Sequence, residues 1–197
     1  MANKKYQIIY ADPPWEYPAR NNTNTRYGRG AIGYYSLMKL EEIKALPIPE
    51  ITDTNCMLFL WATFPRLEQA LEVIKAWGFT YKTLGFSWIK TNKNNGKPFF
   101  GVGYYTKSNA EVCLIGVKGK PIKVSNFVSS VLITPREEHS KKPDIVRDKI
   151  VELVGNVPRI ELFARQKTKG WDSWGNEVEN DTNLHKGLLT GEAEKRA

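Results

Sequence analysis

Short apolar runs alternate along this chain with stretches of helical period, and that alternation limits the architecture more than any other feature. Tyr6–Ala11, Met57–Trp61, Phe79–Ile89, Glu111–Val117, Val131–Thr134 and Arg159–Ala164 read as strands. Met38–Leu46 has helical composition and ends at Pro47 and Pro49. Pro65 opens a helix with Leu67, Ala70, Leu71 and Ile74 on one face and Gly78 as its stop, and Pro143 opens another with Val146, Ile150 and Leu153 aligned and Gly155 at its end. Strands that alternate with helices predict an α/β fold, a largely parallel sheet with helices on both faces. Two long polar segments, 16–36 and 90–109, interrupt the pattern, and loops of that length are often functional. At 197 residues the chain suits one domain, read as residues 1–178, followed by a polar, frayed tail over 179–197.

The run Ile8-Ile9-Tyr10-Ala11 leads directly into Asp12-Pro13-Pro14-Trp15. In open α/β sheets, ligands bind just beyond such strand ends. The set suits chemistry on the exocyclic amine of adenine, a poor nucleophile whose lone pair is delocalised into the ring. The Asp12 carboxylate and the Pro13 carbonyl, on a backbone fixed at φ, offer two acceptors that would draw the nitrogen toward tetrahedral geometry. Asp12 could also take the proton that is lost or stabilise developing positive charge. Trp15 offers a stacking face, worth about 1–3 kcal/mol per base in nucleic-acid systems. Taken alone, the same residues also suit a turn followed by a core tryptophan.

Composition narrows the field further. No apolar run approaches the ~18 residues of a membrane span, and Met1–Lys5 does not open a secretory leader, so a cytoplasmic location is expected. Cys56 and Cys113 each fall in an apolar run and read as buried, reduced thiols. With His139 and His185 they make no zinc spacing, and no metal is expected. The formal charge of +8 is concentrated between Lys82 and Lys123, where eight lysines face one acid, Glu111, among Trp88, Phe99, Phe100, Tyr104 and Tyr105. Lysines among aromatic rings suit phosphates and unstacked bases, although a solvated lysine face has the same composition.

Tyr10-Ala11-Asp12-Pro13-Pro14-Trp15 resembles the signature of the MT-A70 family of adenine N6 methyltransferases. The resemblance continues, in the family's order, through Phe59–Thr63, Trp88–Asn92, Cys113–Gly119, Ser140–Asp144, Ile160–Arg165 and Trp174–Glu177. It implies a Rossmann-like methyltransferase fold in permuted order, with the catalytic strand first and the cofactor strand last. The absence of Gly-x-Gly-x-x-Gly after an early strand agrees with that order.

The resemblance also implies S-adenosylmethionine as cofactor, held by Asp12, Lys142, Phe163, Arg165, Lys167, Asn176 and Glu177. Lys142 would lie beside the methionine part of the donor, and Asn176 and Glu177 near its ribose and adenine. Lys167 replaces a family histidine. Tyr34, Tyr35, Trp61, Lys90 and Glu111 match substrate-side positions. Donor-adenine contacts that larger members carry upstream of the catalytic strand have no counterpart here, which leaves that side of the pocket unassigned. The implied activity is methyl transfer to the 6-amino group of adenine in DNA, with RNA as the alternative substrate. A catalytically inactive nucleic-acid-binding subunit is the alternative from another class, and the intact Asp12–Trp15 run speaks against it. Without a separate recognition domain, little intrinsic sequence reading is expected, or a very short site, or a partner that supplies specificity. A homodimer is open.

Overall fold

The structure, a computed structural model, describes residues 4–17, 37–101, 103, 105–137 and 141–184. Its centre is a seven-stranded sheet built from β1 (Tyr6–Ala11), β2 (Thr52–Ala62), β3 (Thr80–Thr91), β4 (Ala110–Lys118), β5 (Val131–Pro135), β6 (Arg159–Leu162) and β7 (Asp172–Trp174). The strand order is β5-β3-β4-β2-β1-β6-β7. β1 pairs parallel with β2 and β6, β6 with β7, and β3 with β5. Only β4 runs against its neighbours β2 and β3. The largely parallel sheet expected from the sequence is therefore present, with one reversed strand inside it.

Both faces are covered. Ile9, Ala11, Leu58, Leu60, Val112, Leu114, Ile160 and Leu162 face α1 (Leu40–Lys44) and α2 (Leu67–Ala76). Ile8, Tyr10, Met57, Phe59, Trp61, Phe86, Trp88 and Cys113 face α3 (Ile145–Val154). This two-sided burial explains why β1 and β2 are continuous apolar runs rather than alternating ones. On α2 the buried residues are Ala70, Val73 and Ile74, while Leu71 is partly exposed, so the helix faces the sheet through Val73 in place of the expected Leu71. On α3, Val146, Ile150 and Val154 are buried, and Arg147 is buried with them.

Two details depart from the sequence reading. A short seventh strand, β7, which the apolar runs did not mark, lies just before Gly175-Asn176. Residues 179–184 pack back on the sheet rather than fraying: Leu184 is buried in the core, and the Asp181 N–H donates to the Ser173 carbonyl at 2.9 Å. The buried Leu184 side chain contributes about 1.5–3 kcal/mol toward holding this turn.

The parallel strands all end on one side of the sheet, and the segment before α3 opens there too. The fold is Rossmann-like, with β1 held between β2 and β6. No helix among the described residues is long and apolar enough to cross a membrane.

Candidate active site

Asp12 leaves the sheet from the end of an interior strand, β1. The residue before it, Ala11, is in register with Leu60 of β2 and Leu162 of β6. The turn that follows is pinned at several points. The Trp15 N–H donates to the Pro13 carbonyl at 2.9 Å, and the Met38 N–H donates to the Pro14 carbonyl at 2.9 Å. The Trp15 ring is buried, and its Nε1 donates to the Trp61 carbonyl at 3.2 Å. The second proposed acceptor, Pro13, thus already receives one hydrogen bond and keeps one lone pair. Trp15 is a buried strut and not the open stacking face its sequence position suggested.

A cleft opens over this turn. It is lined by Asp12, Pro13, Pro14, Trp15, Tyr17, Met38, Ala62, Thr63, Glu111, Lys142, Phe163, Ala164, Arg165, Trp174, Gly175, Asn176 and Glu177. A second, more polar cavity adjoins it on the α3 side, where Tyr10, Lys141, Arg147, Glu161 and Gln166 join Asp12, Lys142, Phe163, Arg165 and Glu177. Asp12 and Lys142 line both.

Charge at the cleft is arranged in a chain. Lys142 Nζ donates to Asp12 Oδ2 at 2.6 Å and lies 3.3 Å from Glu111 Oε2. Lys90 is ion-paired to the other Glu111 oxygen. The side chains of Lys142 and Glu111 are nearly enclosed, while that of Asp12 remains 32% exposed to the cleft. Burial pushes the Asp12 carboxyl above the usual range; the Lys142 ammonium opposes this without reversing it, and Glu111 adds to it. Burial also raises Glu111, but Lys142 and Lys90 together outweigh it and hold that carboxyl low. Lys142 is pulled down by burial and raised more strongly by its two acids, so it stays charged. Environments that push two neighbouring acids apart separate their roles. Here Glu111 is pushed toward its ionised form, and Asp12 toward a higher affinity for protons.

The opposite side of the cleft comes from the ends of β6 and β7. Phe163 has φ 60, a left-handed conformation uncommon outside glycine, and its ring packs edge-on against Trp174 at 5.4 Å. Gly175 lies so close to Ala164 that a Cβ there would overlap the Ala164 backbone. The Ala164 N–H donates to the Trp174 carbonyl at 3.0 Å, which ties the two strand ends together. Arg165 Nε pairs with Glu177 Oε1 at 3.0 Å at the rim.

The structure thus brings Asp12, Pro13, Pro14, Trp15, Glu111, Lys142, Phe163, Arg165, Asn176 and Glu177 to one cleft. Three other expected site residues lie elsewhere. Trp61 is fully buried; its Nε1 donates to the Tyr10 hydroxyl at 2.8 Å and its ring sits 5.5 Å under Lys142 Nζ, so it supports the ion-pair chain from below. Lys90 acts on Glu111 and does not line the cleft. Lys167 pairs with Asp181 at 2.5 Å, fastening the turn after β7, and is also off the cleft. Tyr34 and Tyr35 lie outside the described residues.

Sequence reasoning did not single out Tyr17, and it gave Thr63 and Gly175, though inside matched blocks, no site role. Tyr17 is partly exposed over the cleft, its hydroxyl shares a hydrogen bond with Thr63 Oγ1 at 2.7 Å, and the Arg66 guanidinium sits 5.0 Å from its ring. Its signal was available as an aromatic two residues beyond Trp15.

A Rossmann-like sheet with an acid-proline turn at the end of an interior strand, facing a glycine-tightened wall from the next strands, defines a methyltransferase-type cleft. The MT-A70 family model matches residues 6–177. The chain is 37% identical to the Type II methyltransferase M.MunI of Mycoplasma sp, over 90% of this chain and 80% of that protein. It is 28% identical to the human N(6)-adenosine-methyltransferase catalytic subunit METTL3, over 89% of this chain and 28% of that protein. A putative N(6)-adenosine-methyltransferase MT-A70-like protein of Medicago truncatula is 30% identical over 93% of this chain and 28% of its own length. The chain spans little more than a quarter of these two eukaryotic relatives. It belongs to the MT-A70 family and is an adenine N6 methyltransferase.

Proposed function

We propose that this enzyme transfers a methyl group from S-adenosylmethionine to the 6-amino group of adenine in DNA. The observation that carries the reading is the state of Asp12: fixed by the end of β1 and the two prolines, open to a cleft, and held beside a lysine that keeps a second acid ionised. The relative sharing most of its length with this chain is named a Type II methyltransferase, which favours DNA.

The Asp12 carboxylate accepts one N–H of the amine, and the remaining lone pair of the Pro13 carbonyl is the candidate acceptor for the other. Together they localise the nitrogen lone pair and orient it. Asp12 then takes the proton released on transfer, which its raised affinity for protons suits. Tyr17, at the cleft mouth, is the better stacking partner for the base, because Trp15 is buried.

The donor fits the wall formed by Phe163, Gly175, Asn176 and Glu177. Gly175 brings bare backbone to the cleft where a side chain would collide with Ala164. Glu177 can accept from a ribose diol, and Lys142 can pair with a carboxylate. S-adenosylmethionine, when bound, supplies an electrophilic methyl on a sulfonium centre; the chain's residues bind, align and accept the proton.

The test is transfer of labelled methyl to DNA and RNA oligomers, followed by mass spectrometry of the nucleosides. N6-methyladenine in DNA is expected from the wild type, and a loss of at least a hundredfold from Asp12→Ala, in line with removal of a positioned acid–base group. Equal incorporation by both proteins would sink the role of Asp12, and methyl found only in RNA would overturn the DNA assignment.

A further inference from the structure

The segment between β3 and β4 carries a feature that methyl transfer itself does not use. Residues 92–109 contain Lys93, Lys97 and Lys107 and no acidic residue. Its described residues, 92–101, 103 and 105–109, fold back on themselves. The Phe99 N–H donates to the Lys90 carbonyl at 2.7 Å, and Gly101 and Ser108 exchange backbone hydrogen bonds at 3.0 and 3.3 Å. A Cβ at Gly101 or Gly103 would strike the carbonyl of Ser108 or Thr106, so close backbone approach requires glycine at both. Arg136, beyond β5, stacks its guanidinium 4.0 Å from the Phe99 ring and buttresses the base of the hook.

This braced hook presents apolar surface to water. Phe100 is 67% exposed, and Tyr105, near the tip, is completely exposed. Large exposed rings on a cationic projection need a reason. The hook rises from the carboxyl end of β3, on the same side of the sheet as Asp12. Its first residue follows Thr91, one beyond Lys90, and Lys90 is the outer member of the chain Lys90–Glu111–Lys142–Asp12. A nucleic acid held by Asp12 therefore meets a positive hook whose aromatic tip has no partner among the described contacts of the fold.

We propose that the hook is a wedge for double-stranded DNA: its lysines hold the phosphates, and the Tyr105 ring enters the base stack beside the target adenine and holds open the gap left when that base swings out to Asp12. An adenine inside a duplex must leave its stack to be modified, and inserted side chains stabilise such unstacked steps. The proposal rests on the reading that DNA is the substrate.

The test compares Tyr105→Ala, Tyr105→Trp and wild type on a duplex and on its single-stranded target strand. A companion duplex carries 2-aminopurine at the methylated position, whose fluorescence rises on unstacking. Tyr105→Ala is expected to lower the ratio of duplex to single-strand kcat/KM at least tenfold and to abolish the fluorescence rise, with Tyr105→Trp restoring both. An unchanged ratio and an unchanged fluorescence rise in Tyr105→Ala would overturn the wedge while leaving DNA methylation intact. Equal losses on both substrates would also overturn it. Wild-type enzyme that methylates no DNA would instead remove the underlying substrate reading, and the wedge with it.

Discussion

Lys142 serves two acids at once, and the consequences can be measured. Its ammonium is the principal charge opposing the upward pull of burial on Asp12. Lys142→Met should raise the Asp12 pKa further. Asp12 accepts only when ionised, and it is ionised above its pKa, so the acidic limb of the kcat profile should move to higher pH. An unmoved limb would mean that the lysine does not set the acid's state. Asp12, Glu111 and Lys142 were each legible as polar residues in matched motifs, but their coupling was not. They come from three separate elements: the register of β1, β2 and β4 sets Asp12 and Glu111 on one side of the sheet, and the segment entering α3 brings Lys142 to both. Trp61 was misplaced for a related reason: in a strand buried on both faces, an apolar run does not reveal which face each ring takes.

Strand ends, more than strands, shape the donor side. Gly175→Ala should displace the Trp174–Ala164 contact and cost about 1–3 kcal/mol, the range for overpacking a tight site. Thermal unfolding would report the loss, and a titration with S-adenosylmethionine should show weakened binding; unaltered affinity would remove Gly175 from the donor wall. On the α3 face, Arg147 pairs with Glu161 through Nε at 2.7 Å and with Asp144 through Nη1 at 2.6 Å. Arg147→Ala would leave Glu161 buried without its counter-ion, and breaking one partner of such a pair typically costs about 3–5 kcal/mol. Denaturant unfolding checks this, and a change under about 1 kcal/mol would show that water compensates the acid. The strands and α2 and α3 were readable because long apolar periods mark them. β7, only Asp172–Trp174, was not, because three residues carry no period.

At the level of the whole molecule, the fold divides a charge cluster that is continuous in sequence. Lys90, Lys93, Lys97 and Lys107 gather where the parallel strands end, beside the cleft. Lys118, at the close of the reversed strand β4, lies at the other end, where its Nζ donates to Thr52 Oγ1 at 2.7 Å. The count of charges was visible in the sequence, but this division depends on the direction of β4 and was not. Only the cleft-side group should therefore contribute to DNA binding. Replacing Lys93, Lys97 and Lys107 together with Gln should reduce the slope of log affinity against log salt by about 2–3, at about 0.9 per phosphate contact. Replacing Lys118, Lys120 and Lys123 should leave that slope nearly unchanged; equal effects from both sets would deny the division.

Both cysteines are free and sealed within the sheet, Cys56 facing α2 and Cys113 facing α3. Burial pushes the Cys56 thiol up to about 12 and raises Cys113 well beyond the ordinary range. An alkylating reagent can then reach either sulfur only when its own layer of the protein opens, so the two modification rates, resolved by peptide mapping, report separately how often each side of the sheet breathes.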